Sequence, residues 1–348
     1  MQSPPEIGSR KPFYRELREG QRLLWCSCGR SKRQPFCDGR SHEGTGYEPL
    51  EYRSPCAQEV LLCGCKRTGT PPFCDGAHSN LPGGYSDEAG VDDAAVSLTE
   101  PDALGFARLD SECYVVSPQS IGTTADFTSE TLVAPSLGAK HQSQFLLTLR
   151  GDTAPVLSSS AGDVILWVRS GTGAVAIGDR RFPIDGPCGV SVRRGETFQL
   201  ERQGEPLVVY ASICPGAEAF EQPGEMTPAF DDSFPERLVA IDEAGRKAMG
   251  PRWFQLLVDE RHGLNNSAQF VGHIPVSRAE MHRHLYEEAL IILSGAGTIW
   301  NESRRARVAA GDVIFFPRKH VHSLQCTADE GMDVVGLIHP GTNPGINY

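Results

Sequence analysis

His282-Arg-His284-Leu-Tyr286-Glu-Glu288-Ala-Leu-Ile-Ile-Leu-Ser-Gly295, answered downstream by Gly311-Asp-Val-Ile-Phe-Phe-Pro317-Arg-Lys319-His320-Val-His322, is the stretch that decides the fold. In a strand, residues two apart face the same side, so His282 and His284 project together into a barrel interior. Glu288 follows across a bend, and His322 on a facing strand completes a set of three histidines and one carboxylate. Neutral imidazole with carboxylate suits iron(II), manganese, nickel, copper or zinc. One histidine alone would read as an ordinary surface or core residue; four candidate ligands in this order do not. Short apolar runs surround them, at 144–149, 164–168, 173–177, 207–210, 289–293 and 313–316, separated by Gly, Pro and Asp. That spacing, with 37 Gly and 25 Pro in the chain, predicts a mainly β protein built of sandwiches or small barrels.

His282-x-His284-x3-Glu288-x6-Gly295 resembles the first motif of the cupin family, and Gly311-x5-Pro317-x4-His322 resembles the second. The resemblance implies a double-stranded β-helix in which His282, His284, Glu288 and His322 bind one mononuclear transition metal. Lys319 stands where the second motif carries glycine and Cys326 where it carries asparagine. Neither position is a ligand. The same residues lack the His-x-Asp and distal Arg pattern of 2-oxoglutarate oxygenases, so that cosubstrate is not expected. A fainter copy lies upstream, where Ser158 to Gly171 aligns with Met281 to Gly295. Its ligand positions hold Ser158, Ser160, Val164 or Asp163, and Thr197 or Phe198, so this copy is expected to be free of metal.

The other end of the chain repeats itself. Adding 37 to Cys26, Cys28, Ser31, Pro35, Cys37, Asp38 and Gly39 gives Cys63, Cys65, Thr68, Pro72, Cys74, Asp75 and Gly76. Each copy offers Cys-x-Cys, then Pro-Phe-Cys-Asp-Gly and a histidine. Three thiolates and one imidazole suit zinc or an iron–sulfur cluster. Cys63-Gly-Cys65-Lys-Arg-Thr68-Gly-Thr-Pro-Pro72-Phe-Cys74-Asp75-Gly76-Ala-His78 resembles the CDGSH iron–sulfur family at every signature position. The resemblance implies a 2Fe–2S cluster on Cys63, Cys65, Cys74 and His78. It implies a second on Cys26, Cys28, Cys37 and His42, although one extra residue precedes His42. An imidazole ligand raises a cluster's potential, which suits electron transfer better than scaffolding.

Composition narrows the rest. With 33 basic and 44 acidic residues, a net charge of −11 argues against nucleic acid as a partner. No apolar run approaches the ~20 residues of a membrane helix, and the first residues lack the apolar core of a secretory signal. Of eleven cysteines, the seven packed between Cys26 and Cys74 look like metal ligands of a cytoplasmic chain, and the rest are scattered. The expected plan is a tandem CDGSH-type domain at 10–85 and an acidic linker at 86–112. A metal-free cupin at 113–222 and a metal-binding cupin at 223–348 complete it. Two one-electron carriers beside an oxygen-competent site, expected to hold iron(II), point to an oxygenase of a small organic molecule. Dioxygen, a reductase and a second copy of the chain are its expected partners. A cupin dioxygenase or isomerase with accessory clusters, or a redox or metal sensor, stays open. His320, of the same strand parity as His322, and Tyr286 are further candidates for catalysis; His273, Gln269 and Cys326 are near the ligands in sequence. Arg304, Arg305 and Arg307 read as a solvated hairpin.

Overall fold

The continuous apolar runs become strands with both faces covered. In the computed structural model, which describes residues 3–82 and 96–348, all six residues of the strand Glu287–Ile292 are buried. Successive side chains of a strand point to opposite faces. Leu290 and Ile292 therefore join Ile314, Phe316 and Val334 inside one barrel. Ala289 and Ile291 join Val313, Phe315, Val335 and Leu337 on its outer face. That outer face shares a core with Ile165, Trp167 and Tyr210 of the preceding barrel, whose interior is filled by Val164, Leu166, Phe198 and Val209. Burying one such side chain is worth about 1.5–3 kcal/mol. The contact between the barrels is thus as much a core as either interior.

Both barrels are antiparallel in plan. In the first, the strands run Leu238–Ala240, Cys188–Val192, Asp163–Ile177, Thr197–Cys214, Ser143–Leu149, Phe127–Val133 across one sheet. The second has two sheets. One runs Lys247–Met249, Arg252–Leu256, Ala268–Ile274, Met332–His339, Glu287–Ile292, Val313–Phe316, Tyr114–Val116, Phe106–Arg108. The other runs Ser277–Arg278, Ser323–Cys326, Ala296–Trp300, Arg304–Ala309, with Ser97–Leu98 parallel at its edge.

This topology corrects the expected boundaries. Residues 106–116 belong to the second barrel, where Tyr114 pairs with Phe315, and Leu238–Ala240 belongs to the first, where Leu238 pairs with Val190. Within the expected linker, 83–95, with Asp87, Glu88, Asp92 and Asp93, lies outside the described residues. The remainder is built in: Asp102 Oδ1 accepts from the N–H groups of Leu104 and Phe106 (both 2.9 Å), and Glu100 faces Arg307 at 3.3 Å. A buried ion pair fastens the chain between the barrels to the first of them. Arg237 meets Glu196 through two bonds of 2.7 and 2.8 Å.

Glu287 and Glu288 are neighbours on one strand and so face opposite ways. Glu288 faces the second barrel's interior. Glu287 reaches the first barrel, where Oε1 accepts from the N–H groups of His141 (3.0 Å) and Gln142 (3.1 Å), and Oε2 from that of Lys140 (2.9 Å).

The cysteine repeat is a structural repeat. Strand Phe13–Leu17 pairs with Gln58–Leu62, and Arg22–Trp25 with Leu50–Arg53. Bridges Trp25↔Phe36 and Leu62↔Phe73 stand at equivalent places. The one exchange inside the repeat is conservative in function: the hydroxyls of Ser31 and Thr68 donate to the carbonyls of Phe36 (2.6 Å) and Phe73 (2.7 Å). Asp38 and Asp75 each accept a backbone N–H six residues back, from Lys32 (3.2 Å) and Gly69 (2.7 Å).

Candidate metal centre

Only part of the expected strand geometry around the histidines holds. His282 forms an isolated bridge with His322, and His284 lies in irregular chain before the strand that carries Glu288. What aligns the rings is local backbone. The Nδ1 atoms of His282, His284 and His322 stand 2.8, 2.8 and 2.9 Å from the carbonyls of Glu280, Tyr286 and His320. A carbonyl only accepts, so each Nδ1 carries the proton and each Nε2 keeps a lone pair. This is the arrangement by which backbone groups orient metal-binding histidines. Nε2 of His284 is buried with no hydrogen-bond partner, 3.2 Å from Oε2 of Glu288.

Ring positions test the fit. An ion about 2.1 Å from Nε2 lies roughly 3.2 Å from the ring centroid, so two imidazoles on one ion stand between about 4.5 Å (at right angles) and about 6.4 Å (opposed) apart. The observed centroid separations are 4.5 Å for His282–His322, 4.9 Å for His284–His322 and 6.4 Å for His282–His284. Among the described residues no three His, Cys, Asp or Glu side chains already stand as a closed coordination set. The donors here are held around a cavity rather than on a point, and the three ring separations lie within the range that two imidazoles on one ion would show. Burial, then His284 and Arg252, depresses His282 to about 3; burial and the other two rings take His322 well below its ordinary value. Both imidazoles are thereby kept neutral, the form that binds metal.

The cavity they line measures ≈ 80 Å³, and Phe254, Phe270, Ile274, Leu290, Phe316 and Leu324 give its wall an apolar part. Arg252, His273 and Asn347 also face it, and of these only His273 stood out in the sequence. Nδ1 of His273 is 2.8 Å from Oδ1 of Asp333. Tyr286 lines the cavity too, stacked on His284 (3.9 Å, 9°), with its hydroxyl donated to the carbonyl of Pro344 (2.8 Å). It positions His284 and holds its own proton, since burial pushes the phenol well above its ordinary value.

His320 is a correction. Its Nε2 lies 2.6 Å from Oδ2 of Asp110, away from the cavity. Its ring stays on the same side as that of His322, 6.4 Å away and stacked at 22°, but the turn at Lys319, where φ is 64°, comes just before it and His320 is not part of the cavity lining. Gln269 also faces elsewhere, with Nε2 3.4 Å from the carbonyl of Leu166 in the first barrel. Cys326 is core. Arg304 and Arg307 are exposed, whereas the guanidinium of Arg305 lies 5.1 Å from the ring centre of Trp300. In the first barrel, Ser158 (3.4 Å) and Ser160 bind the carboxylate of Glu221 through their hydroxyls, and Thr197 Oγ1 meets Thr227 Oγ1 at 3.2 Å. Val164 and Phe198 fill the apolar interior.

The N-terminal cysteines and histidines come in pairs. Sγ atoms are 3.6 Å apart in Cys26–Cys28 and 3.5 Å in Cys63–Cys65; Sγ to Nδ1 is 3.5 Å in Cys37–His42 and 3.4 Å in Cys74–His78. Two donors on one tetrahedral ion, about 2.3 Å away for sulfur and about 2.1 Å for nitrogen, stand about 3.6–3.8 Å apart. The pairs fit one metal each, two in every copy. The hydrogen bond from Cys65, opposed by burial, holds Cys63 down at about 6, towards the thiolate that binds metal.

Residues 272–338 match the family model described as "Cupin domain". The barrel of the three histidines is a cupin domain. Solved structures extend the likeness of fold to both barrels. Protein Ylba from E. coli superposes with TM-score 0.51 at 14% identity, covering 72% of this chain and 97% of that one. Procruciferin, the 11S globulin of Brassica napus, gives 0.53 at 10% identity, covering 67% and 85%. The N-terminal segment is homologous to CDGSH iron–sulfur domains. It is similar to "CDGSH iron-sulfur domain-containing protein 3, mitochondrial" of Mus musculus, 46% identical over 52 residues, 14% of this chain and 37% of that protein. The Homo sapiens protein of the same description gives 47% over 50 residues, 14% and 39%. The chain thus spans under two fifths of the length of these curated relatives. Among the described residues no helix is long and apolar enough to cross a membrane.

Proposed function

We propose that this chain is a metal-dependent oxygenase of a small organic molecule, supplied with electrons by two iron–sulfur clusters of its own. The observation that carries this reading is the docking of the second Cys3His loop on the mouth of the cupin cavity. Asn80, two residues after His78, donates Nδ2 to the carbonyl of Ala248 and accepts the N–H of Gly250 on Oδ1, both at 3.0 Å. Met249, between them, lines the histidine cavity and also the space beneath Asp75, Gly76 and Ala77. Glu59 of the N-terminal domain adds ion pairs to Lys319 and, at 3.1 Å, to Arg318. An isomerase or a binding module has no use for one-electron carriers at that place.

In this reading Cys26, Cys28, Cys37 and His42 hold one 2Fe–2S cluster, and Cys63, Cys65, Cys74 and His78 the other. His282, His284, Glu288 and His322 hold iron(II). When bound, that metal supplies activation of dioxygen and a point of attachment for substrate. The chain's own residues do the rest. The carbonyls of Glu280, Tyr286 and His320 fix the imidazoles, and the apolar side chains of the wall offer surface to a substrate's carbon framework. At ≈ 80 Å³ the cavity has room for on the order of five to eight water-sized positions, which suits a small substrate.

The test is oxygen uptake by anaerobically purified, metal-analysed protein across a panel of small organic molecules, with and without reductant. His282→Ala and His322→Ala are expected to remove the non-cluster metal and leave cluster absorbance intact. Cys74→Ser is expected to abolish reductant-dependent turnover with the cupin metal still bound. Turnover that is complete without reductant would overturn the role given to the clusters.

A further inference from the structure

The two cysteine sites are alike in themselves and unlike in what they touch. From Cys74 the next residue, Asp75, offers its carbonyl to Nδ2 of Asn343 at 2.8 Å. The amide of Asn343 is held in that sense because its Oδ1 accepts the N–H of Gly345, also at 2.8 Å. Pro344 follows in the chain, and its carbonyl accepts the hydroxyl of Tyr286 at 2.8 Å. The ring of Tyr286 lies stacked on His284, whose Nε2 borders the cavity. Every step from Cys74 to His284 is therefore a covalent link, a hydrogen bond of ordinary length or a stacked pair of rings.

At the first site the matching loop faces nothing of the kind. A Cβ placed on Gly76 would stand 3.2 Å from Nδ2 of Asn343 and 3.5 Å from the carbonyl oxygen of Gly345. Placed on Gly39, its counterpart 37 residues earlier, it would meet nothing within 4 Å.

We infer that the second site is the one that exchanges electrons with the cupin centre, through the contact of Asp75, Asn343, Pro344 and Tyr286, and that the first site refills it. The inference rests on the oxygenase reading and orders its two carriers. In each transfer a cluster held by Cys63, Cys65, Cys74 and His78 would lose one electron and a metal held by His282, His284, Glu288 and His322 would gain it, passing from its oxidised to its reduced state. No bond forms or breaks, and Tyr286 keeps its proton on the Pro344 carbonyl. A low-potential one-electron reductant such as dithionite supplies the electrons from outside. Asn343 and Tyr286 are positioning residues in this scheme: they hold the cluster loop against the ring that borders the metal.

The experiment uses the full chain with both clusters and an oxidised cupin metal, without oxygen. The clusters are reduced by a flash in the presence of a photoreductant, and recovery of their absorbance reports the electron's departure. Tyr286→Phe and Asn343→Ala are each expected to slow recovery about fivefold, the cost in rate of losing one link of the route worth about 1 kcal/mol: the bond to Pro344 in the first, the bond to Asp75 in the second. Because the two variants break the same route at different links, so that either one alone already closes it, the double variant is expected to be no slower than either. Cluster spectrum, sulfide and metal content stay unchanged in all three. Recovery as fast in both variants as in the parent chain would overturn the route while leaving electron supply intact. No recovery in the parent chain would overturn the electron-supply reading itself, and this inference with it.

Discussion

Glu287→Ala should loosen the two barrels from one another. The carboxylate of Glu287 is 1% exposed and accepts three backbone N–H groups of the first barrel. A hydrogen bond to a charged group is worth about 1.5–3 kcal/mol, and a buried donor left without its partner costs about 1–3. The N–H of Gln142, a fully buried residue, would lose its acceptor outright; that of Lys140, an exposed residue, has water within reach. Three bonds to one carboxylate are not independent, so the expected loss is about 3–5 kcal/mol rather than the full multiple. Glu287→Gln retains one oxygen for His141 and Gln142 but turns an NH2 towards Lys140, and should lose only about 1–2 kcal/mol. Urea unfolding followed by tryptophan fluorescence is the assay, because Trp167 sits in the core shared by the barrels. An alanine variant within about 1 kcal/mol of the parent would refute the reasoning, since an average point substitution costs that much.

Two further outcomes are expected. The unfolded chain takes up protons on His282 and His322 as pH falls through about 6.5, whereas the folded, metal-free chain refuses them down to about 3 at His282, and burial holds His322 well below its ordinary value. Stability should therefore drop as pH falls below about 6.5, by up to about 1.4 kcal/mol per pH unit for each histidine. Urea midpoints from about pH 7 to about pH 5 should show a shallower fall in His282→Asn, and an equal slope in both proteins would contradict this. On mild acidification the first cysteine site should lose its visible absorbance before the second. The side chain of His42 is 18% exposed with Glu48 at 3.7 Å, whereas His78 is buried; simultaneous bleaching would count against it.

How much of this was legible beforehand depends on how local the cause is. The ligand sets are local: Cys-x-Cys, the 37-residue repeat and His-x-His with Glu288 are visible as spacing. The rule that aligned His282 with His284 was the wrong one, because three backbone carbonyls orient the rings where no regular strand exists. The same rule set His320 on the side of His322 but could not show it outside the cavity, since the turn at Lys319 leaves no mark in composition. Arg252 and Asn347 gave no signal, because what brings them to the cavity is pairing and packing between distant segments. The run Ala289-Leu-Ile-Ile-Leu293 did carry one. A strand apolar at every position has both faces to bury, which is what the shared core supplies. Residues 106–116 were lost among acidic neighbours, as their partner lies far along the chain.

The exchange of strands between the barrels has a consequence for the order in which the protein can be made. Tyr114–Val116 is synthesised roughly two hundred residues before Val313–Phe316, the strand it pairs with. At ~5–20 residues per second on the ribosome, that is a wait of about 10–40 s. Throughout it, Tyr114 and Val116, buried in the finished molecule, must be shielded by the first barrel or by a chaperone. The same threading forbids dissection by a single cut. A fragment starting at residue 223 would lack the edge Phe106–Val116 of its own sheet and would carry away Leu238–Ala240 from the other. A fragment meant to isolate the cupin centre must therefore join 96–116 to 247–348 through a new linker, and so leave each barrel the strands it folds with.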